Sequence, residues 1–553
     1  MPNSPPALPQ AFFAEASSLA WNLTIRSGKT EEKKRGGGTY YLFGPSAASR
    51  SMAATNSSSD DDDDDDDDKA KLGVIGDFHT RSKEVSGEQE QLRRWRFYEG
   101  CDVELLPLRK LPTRNPPLER RSLSTMLLAS LAFTGLRRSG SNVTFSTPSA
   151  GNIYSTEAFL LLPVDDERST LSRYLPRNHG LERRALFSKE DTRKLFRKIL
   201  RVDDNRLCAT GAMAQEEDDD EFFATILTAN CEDRKELRSF RYCQQDLGHA
   251  AMAVAEAAQS LGWHCRVARH LADESIANII GTSSENGGVA MVIRVPRRSV
   301  EDTSSMHFCS CERDKVAEET VLSARGLAGA RFGRPLKDEE MEKNPLLDAI
   351  QAATRKPETR RCPRRHQSTT TPKKRKDFVA VARRSRAATR FDPYDEAHLA
   401  ASDFYAILQG LVDDDDGFLD SFAPPPRPVS FMLLFVHRVF DVAPGLYAFV
   451  RSLPQNIDAV TQALRDRVAK GNATWGPPPD SCPLFLRSRI STLLAPADLR
   501  HFAREFTCDQ ALAADGFLTF VIFADFGPVF FGPAPWRYKE LHREAGALDN
   551  FCT

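Results

Sequence analysis

The sequence predicts two diverged copies of one strand-and-helix unit, joined by a basic linker and preceded by a low-complexity N-terminus. Three observations carry this expectation. The chain has 553 residues, more than one ordinary hydrophobic core can organise. Its composition, 41% hydrophobic and 27% charged, is that of a globular protein with polar additions. And one pattern occurs twice. Phe222-Phe223-Ala224-Thr225-Ile226-Leu227 reads as a strand and is followed by a loop and by Phe240-Arg241-Tyr242 at the start of a helix. Phe517-Leu518-Thr519-Phe520-Val521-Ile522-Phe523 is followed by a loop and by Trp536-Arg537-Tyr538 at another helix start. Taking Thr225 and Thr519 as equivalent gives near-equal spacing to the two arginines, as a duplication would.

The elements follow in order. Residues 1–71 read as disordered: Pro-rich at first, then Gly36-Gly37-Gly38, then Ser and the unbroken acidic run Asp60 to Asp68, which cannot bury itself. Residues 72–299 form the first unit. Its central helix places Leu247, Ala250, Ala251, Val254, Ala258 and Leu261 on one buried face, with Gly262 where a C-terminal cap belongs. His249 in that helix reads as a satisfied core histidine. A strand at Trp263–Ala268 and a helix ending at Gly281 follow. Residues 300–376 are a connector with one helix around Leu346 to Thr354. Residues 355–376 hold ten Lys/Arg against the single acid Glu358 and read as a solvated linker. Residues 377–553 form the second unit. Its last helix, from Lys539 to Leu548, faces a core through Leu541, Ala545 and Leu548. No counterpart of the first unit's later strand and helix follows. The second unit therefore reads as truncated at the C-terminus, with an exposed sheet edge.

Composition narrows the function classes. The net charge of −2 conceals segregated acidic and basic runs. The basic stretch has no interleaved aromatics of the kind that stack on bases, which argues against nucleic acid as the partner. No apolar run is long enough to span a bilayer, so no membrane partner is expected. No secretory signal is evident, and the expected location is cytoplasmic, with an organelle left open. Of eleven cysteines only Cys309 and Cys311, near His307, lie close together. They lack a second ligand pair, so no metal site is read.

Two segments carry chemistry. Pro148-Ser149-Ala150-Gly151-Asn152-Ile153-Tyr154-Ser155 is a turn of small residues leading into the apolar run Ala158-Phe159-Leu160-Leu161-Leu162, where backbone can approach a flat ring closely. Arg383-Arg384-Ser385-Arg386 is a cluster of forked cations suited to a phosphate. Together they look like two halves of a flavin mononucleotide (FMN) site. With these pieces, the segments Phe78–Lys83, Phe97–Gly100, Tyr174–Arg184, Phe240–Trp263, Pro444–Tyr447 and Cys508–Phe526 resemble, in their order, the nitroreductase superfamily. The most similar branch looks like the thiazole/oxazole-forming peptide dehydrogenases and their tandem two-unit relatives.

The resemblance implies an α+β fold: two nitroreductase-like units, each a mixed sheet flanked by helices, forming an intramolecular pseudo-dimer. It implies FMN as cofactor, with Ser149, Gly151 and Asn152 at the ring and Arg383, Arg384, Ser385 and Arg386 at the phosphate end. Either Arg384-Ser385 or Arg386-Ala387 fills the phosphate position, and Arg81-Ser82-Lys83 is a counterpart for a second site. It implies Lys235 as the catalytic base of the peptide-dehydrogenase branch. Glu236 stands where that branch has a tyrosine; a carboxylate there stabilises the ammonium form of Lys235 and weakens it as a base. The expected activity is that of a soluble FMN-dependent oxidoreductase passing hydride through flavin N5 to or from a small molecule or peptide, with NADH or NADPH as electron donor. The alternative is a degenerate member without flavin, acting as a binding or scaffold protein.

Overall fold

A computed structural model describes residues 20–24, 62–81, 98–99, 101–108, 116–136, 143–149, 153–165, 168–200, 221–229, 239–282, 287–295, 330–331, 334–335, 345–359, 381–382, 390–392, 397–412, 418, 429–451, 457–458, 461–462, 465, 475–507, 509–524, 529 and 533–552. In chain order the elements are β1 (Ala20–Thr24), α1 (Asp62–Arg81), β2 (Tyr98–Glu99), β3 (Val103–Leu105), α2 (Arg120–Ser130), β4 (Phe133–Leu136), β5 (Val143–Phe145), β6 (Thr156–Pro163), β7 (Ser169–Leu175), β8 (Gly180–Phe187), α3 (Lys189–Leu200), β9 (Glu221–Ala229), α4 (Ser239–Ser260), β10 (His264–Val267), α5 (Asp273–Ile280), β11 (Gly288–Val295), β12 (Ala330–Arg331) and β13 (Arg334–Pro335). They continue with α6 (Pro345–Ala353), α7 (Ala401–Gly410), β14 (Val429–Val436), β15 (Gly445–Val450), β16 (Ile490–Leu494), α8 (Arg500–Phe506), α9 (Ala511–Asp515), β17 (Leu518–Ala524) and α10 (Arg537–Cys552). The chain divides into two compact units. One is residues 89–385 with 415–424; the other is residues 1–88 with 386–414 and 425–553. No helix among the described residues is long and apolar enough to cross a membrane.

The unit of residues 89–385 is built on a sheet ordered β10-β11-β9-β6-β7-β8-β12, with β3 also paired to β8. The inner strands β6 and β9 are apolar almost throughout because both faces are covered. On one face Phe159, Leu161, Ala224 and Ile226 pack with Leu195 of α3 and Ile276 and Ile279 of α5. The alanine-rich α4, buried nearly end to end, packs against β9 and α2. It stops in a Schellman arrangement: Gly262 at φ 80° donates to Gln259 O at 2.9 Å, and Trp263 N donates to Ala258 O at 3.0 Å. Trp263 then meets Phe223 edge-on at 5.8 Å and donates its indole N–H to Pro116 O at 2.9 Å.

The expected solvated linker begins later than its charge suggests. Thr354, Lys356, Glu358 and Thr359 are buried. Thr359 N donates to His270 O at 3.0 Å and Lys356 N to Asp273 Oδ2 at 2.8 Å. Glu358 accepts from Lys198 at 3.0 Å and from Ser275 at 2.6 Å. The lone acid of the basic stretch is thus spent docking its first residues.

In the other unit the sheet order is β1-β17-β14-β15-β16. Leu433, Phe435, Val521 and Phe523 pack with Leu499 just before α8, Ala503 of α8 and Ala513 of α9. Helix α10 packs on β1 and β14 and buries Leu541, Ala545 and Leu548, the face its spacing predicts. Helix α1 joins it through Phe78, edge-on to Tyr538 at 6.3 Å, and through His79 Nδ1, 3.1 Å from the Tyr538 hydroxyl.

The two sheets share a path: β11-β9-β6-β7-β8 in one and β1-β17-β14-β15-β16 in the other. The expected mixed sheets are antiparallel in every ladder among the described residues. This shared order bears out the duplication, but not the pairing of Thr225 with Thr519. The Thr519 hydroxyl donates to Ala513 O at 2.8 Å, on the face that carries α8 and α9. On the matching face of the other sheet lie Ala224 and Ile226, so Thr225 points the opposite way. The repeats are therefore offset from the spacing match by an odd number of residues, which inverts every side chain of the strand.

Three further expectations change. Residues 60–68 and the N-terminal segment are expected to be unstructured; α1 begins at Asp62, and Ala20–Thr24 is a strand. Leu72–Arg81 is expected in the first unit; α1 lies in the unit that holds residues 425–553. And the edge expected to stand open is covered: β1 pairs with β17, Ala20 opposite Phe523 through Thr24 opposite Thr519, in the place that β11 holds beside β9.

Candidate functional site

The turn that leads into β6 is held by a buried acid on α4. Asp246 is 3% exposed. Its Oδ2 accepts the Ser149 hydroxyl at 2.8 Å, the Ser155 hydroxyl at 2.9 Å and the Ser155 amide at 3.4 Å. Ser149 Oγ in turn accepts the Tyr154 amide at 2.9 Å. Ser149 and Ser155 are thus both tied to one carboxylate oxygen. The other oxygen, Oδ1, lies 3.9 Å from His249 Nδ1, one helical turn along α4. His249 is fully buried, as a core histidine should be.

Tyr154 sits at φ 54°, a left-handed conformation that is uncommon outside glycine and needs support from its surroundings. The support is visible. Its ring lies 3.9 Å from that of Phe145, its hydroxyl accepts from Phe145 N at 3.2 Å, and its amide is tied to Ser149.

Of the residues expected to form the site, Ser149 is described, and its hydroxyl is engaged inward with Asp246 and Tyr154. Gly151, Asn152, Lys235, Arg383, Arg384, Ser385 and Arg386 lie outside the described residues, as do Arg81's side chain, Cys309, Cys311 and His307. The donor chemistry of this set suits FMN. Backbone amides at a glycine and the Asn152 carboxamide match the ring's carbonyl and imine acceptors, and guanidinium groups match a phosphate dianion. Sequence reasoning missed Asp246. The available signal was a carboxylate inside an otherwise alanine-rich buried helix, where a charge persists only if donors surround it.

The repeat carries other residue types at the corresponding positions. The segment entering β14 reads Phe422-Ala423-Pro424-Pro425-Pro426-Arg427-Pro428, and α10 carries His542 where, counting from Arg241 and Arg537, α4 carries Asp246. Prolines have no N–H to offer a ring.

Comparison with solved structures places the fold. A protein assigned as a nitroreductase from Anabaena variabilis superposes with a TM-score of 0.58 at 14% identity, over 87% of this chain and 90% of its own. Two others match over part of the chain: a protein likewise assigned from Ralstonia eutropha (TM-score 0.25, 15% identity, 39% of this chain and 100% of that one) and the E. coli microcin synthetase McbBCD complex with truncated pro-MccB17 bound (0.25, 16%, 42% and 94%). No protein-family model matches the sequence, and no curated protein does. The fold is that of the nitroreductases, α+β with helices flanking the sheets.

Proposed function

We propose that the chain is an FMN-dependent oxidoreductase of the nitroreductase type. The observation that supports this is that Ser149 and Ser155, which flank the small-residue segment, both bond one buried carboxylate oxygen of Asp246. When bound, FMN supplies the hydride-accepting N5. The chain's own part is to hold and orient the ring. Gly151 and Asn152 approach it through short side chains and backbone. Arg383, Arg384, Ser385 and Arg386 hold the phosphate end and fix the ring without touching it. Lys235 is the proposed proton acceptor, working against Glu236 beside it. The substrate class is a small molecule or a peptide, with NADH or NADPH as the proposed electron donor. The neighbouring Glu236 favours a second reading, a flavin-free scaffold on the same fold.

The purified chain decides between them. It is expected to release FMN on denaturation, or to quench the fluorescence of added FMN on binding. Replacing both Arg383 and Arg384 by Ala is expected to weaken that binding about tenfold or more, since a charge-assisted contact is worth roughly 1.5–3 kcal/mol. A colourless protein that leaves added FMN fluorescence unchanged overturns the flavin reading and leaves the scaffold.

A further inference from the structure

We propose that the end of α3, the turn 268–272 and the start of α5 form a peptide-binding groove, and that the chain's own residues 354–359 are its tethered, exchangeable occupant. The occupant is held as an extended peptide. Lys356 O accepts from Asp273 N at 3.1 Å, Lys356 N donates to Asp273 Oδ2 at 2.8 Å, and Thr359 N donates to His270 O at 3.0 Å. Lys356 thus faces Asp273 and Thr359 faces His270, so the two segments run antiparallel. Side chains alternate as in a strand: Arg355 is exposed, Lys356 buried, Pro357 half-buried and Glu358 buried. Two sockets receive the buried pair. Lys356 Nζ donates to the Arg269 carbonyl. Glu358 Oε1 accepts from Ser275 Oγ at 2.6 Å and pairs with Lys198 Nζ at 3.0 Å. Main-chain pairing joined to sockets for alternate side chains is a general mode of recognising an extended peptide. Pro357 favours that shape, because it disfavours helix at Lys356 and has no N–H to satisfy.

The walls of the groove are built without the occupant. Ala268, Leu271, Ile276 and Ile279 pack with Phe159, Leu195 and Ile226 in an apolar cluster to which no residue of 354–359 contributes. His270 Nε2 donates to Lys198 O at 2.7 Å and so ties the turn to α3 directly. The occupant, by contrast, reads Thr-Arg-Lys-Pro-Glu-Thr and has no apolar side chain except Pro357. It is held by hydrogen bonds and an ion pair, which water replaces on opening, so each bond contributes little net stability. Such a segment opens more readily than the sheet beneath it. Its upstream end stays fixed, because α6 buries Ile350 and Ala353, and Thr354 N donates to Ile350 O at 3.0 Å. The strap therefore hinges just after α6. The ligand class that fits the groove is an extended peptide with a lysine and, two residues on, a glutamate.

The test uses the full chain and a fluorescein-labelled synthetic peptide with the sequence of residues 353–360. The double variant Lys356→Ala with Glu358→Ala empties both sockets and leaves the walls intact. Its folding is checked by far-ultraviolet circular dichroism, and peptide binding is then followed by fluorescence anisotropy. The double variant is expected to bind the peptide, and the wild type to bind it about tenfold or more weakly, because the tethered occupant competes at high effective concentration. A peptide carrying Glu358→Gln, or a chain with Lys198→Ala added to the double variant, is expected to lose about tenfold or more of that affinity, as loss of a charge-assisted contact requires. Hydrogen exchange gives a second readout. The Asp273 and Thr359 amides should exchange faster in the double variant, with the amides of β9 unchanged. A folded double variant that binds no peptide, or that binds the Glu358→Gln peptide equally well, overturns the proposal. So does exchange at Asp273 and Thr359 that keeps pace with β9 in the wild type, since the strap would then be a fixed part of the core. If the double variant does not fold, Glu358→Gln in the full chain carries the same two measurements, and no gain in peptide binding or in exchange overturns it.

Discussion

Glu544 on α10 and Arg451 at the end of β15 form an ion pair at 2.5 Å, with both side chains fully buried. Arg451 Nε also donates to Leu411 O at 3.1 Å, just past α7. The pair ties the last helix, a sheet strand and the α7 loop together within the unit of residues 425–553. Replacing Glu544 by Gln keeps the shape and removes the charge, leaving a buried guanidinium without its counter-ion. Breaking a buried pair from one side costs about 3–5 kcal/mol, because desolvation of the surviving charge is no longer offset. Each 1.4 kcal/mol is a factor of ten in an equilibrium constant, so opening of α10 should become about a hundred to several thousand times more frequent. Hydrogen exchange across residues 537–552 reads this directly as lost protection. The double change Arg451→Met with Glu544→Leu removes both charges and fills the space with apolar atoms, and should restore most of the protection. Protection in Glu544→Gln within about threefold of the wild type, or a double variant as weak as the single, would refute the reasoning, because the pair would then lie in a more polar setting than its burial implies.

Two further outcomes are expected. His437 is pushed down to about 4, chiefly by burial, against the Nε2–H it donates to Ala513 O at 3.0 Å and the attraction of Asp498. The unfolded chain takes up the proton near pH 6.5 and the folded chain does not, so stability should be constant above that pH and fall by about 3 kcal/mol as pH drops from about 6.5 to about 4. Urea unfolding at pH 7 and pH 4.5, with His437→Gln as the variant lacking this slope, checks it. Second, the saturated protein should carry one FMN per chain rather than two, since the segment before β14 offers prolines in place of Ser149–Ser155; flavin absorbance after denaturation, set against protein concentration, measures the ratio, and a value of two would assign ring-binding capacity to the proline-rich segment.

The amino-acid sequence by itself determined the local elements and their buried faces. Periodicity placed α4, and Gly262 placed its end; the same reasoning found α10 with Leu541, Ala545 and Leu548 inward, and α6 in the connector. These are short-range properties, set by side chains three or four residues apart and by a backbone angle that glycine adopts without cost. Tertiary structure alone decided what depends on partners distant in the chain. Ala20–Thr24 has no strand pattern of its own strength and becomes a strand because β17 presents an unpaired row of N–H and C=O groups for it to complete. The register of the repeat turned on which face Thr225 and Thr519 take, and spacing cannot see a face. Asp246, Ser149 and Ser155 come from two segments some ninety residues apart. A carboxylate in a helix reads as exposed until folding supplies the donors that let it stay buried, and only the fold could bring the hydroxyls of the loop to it.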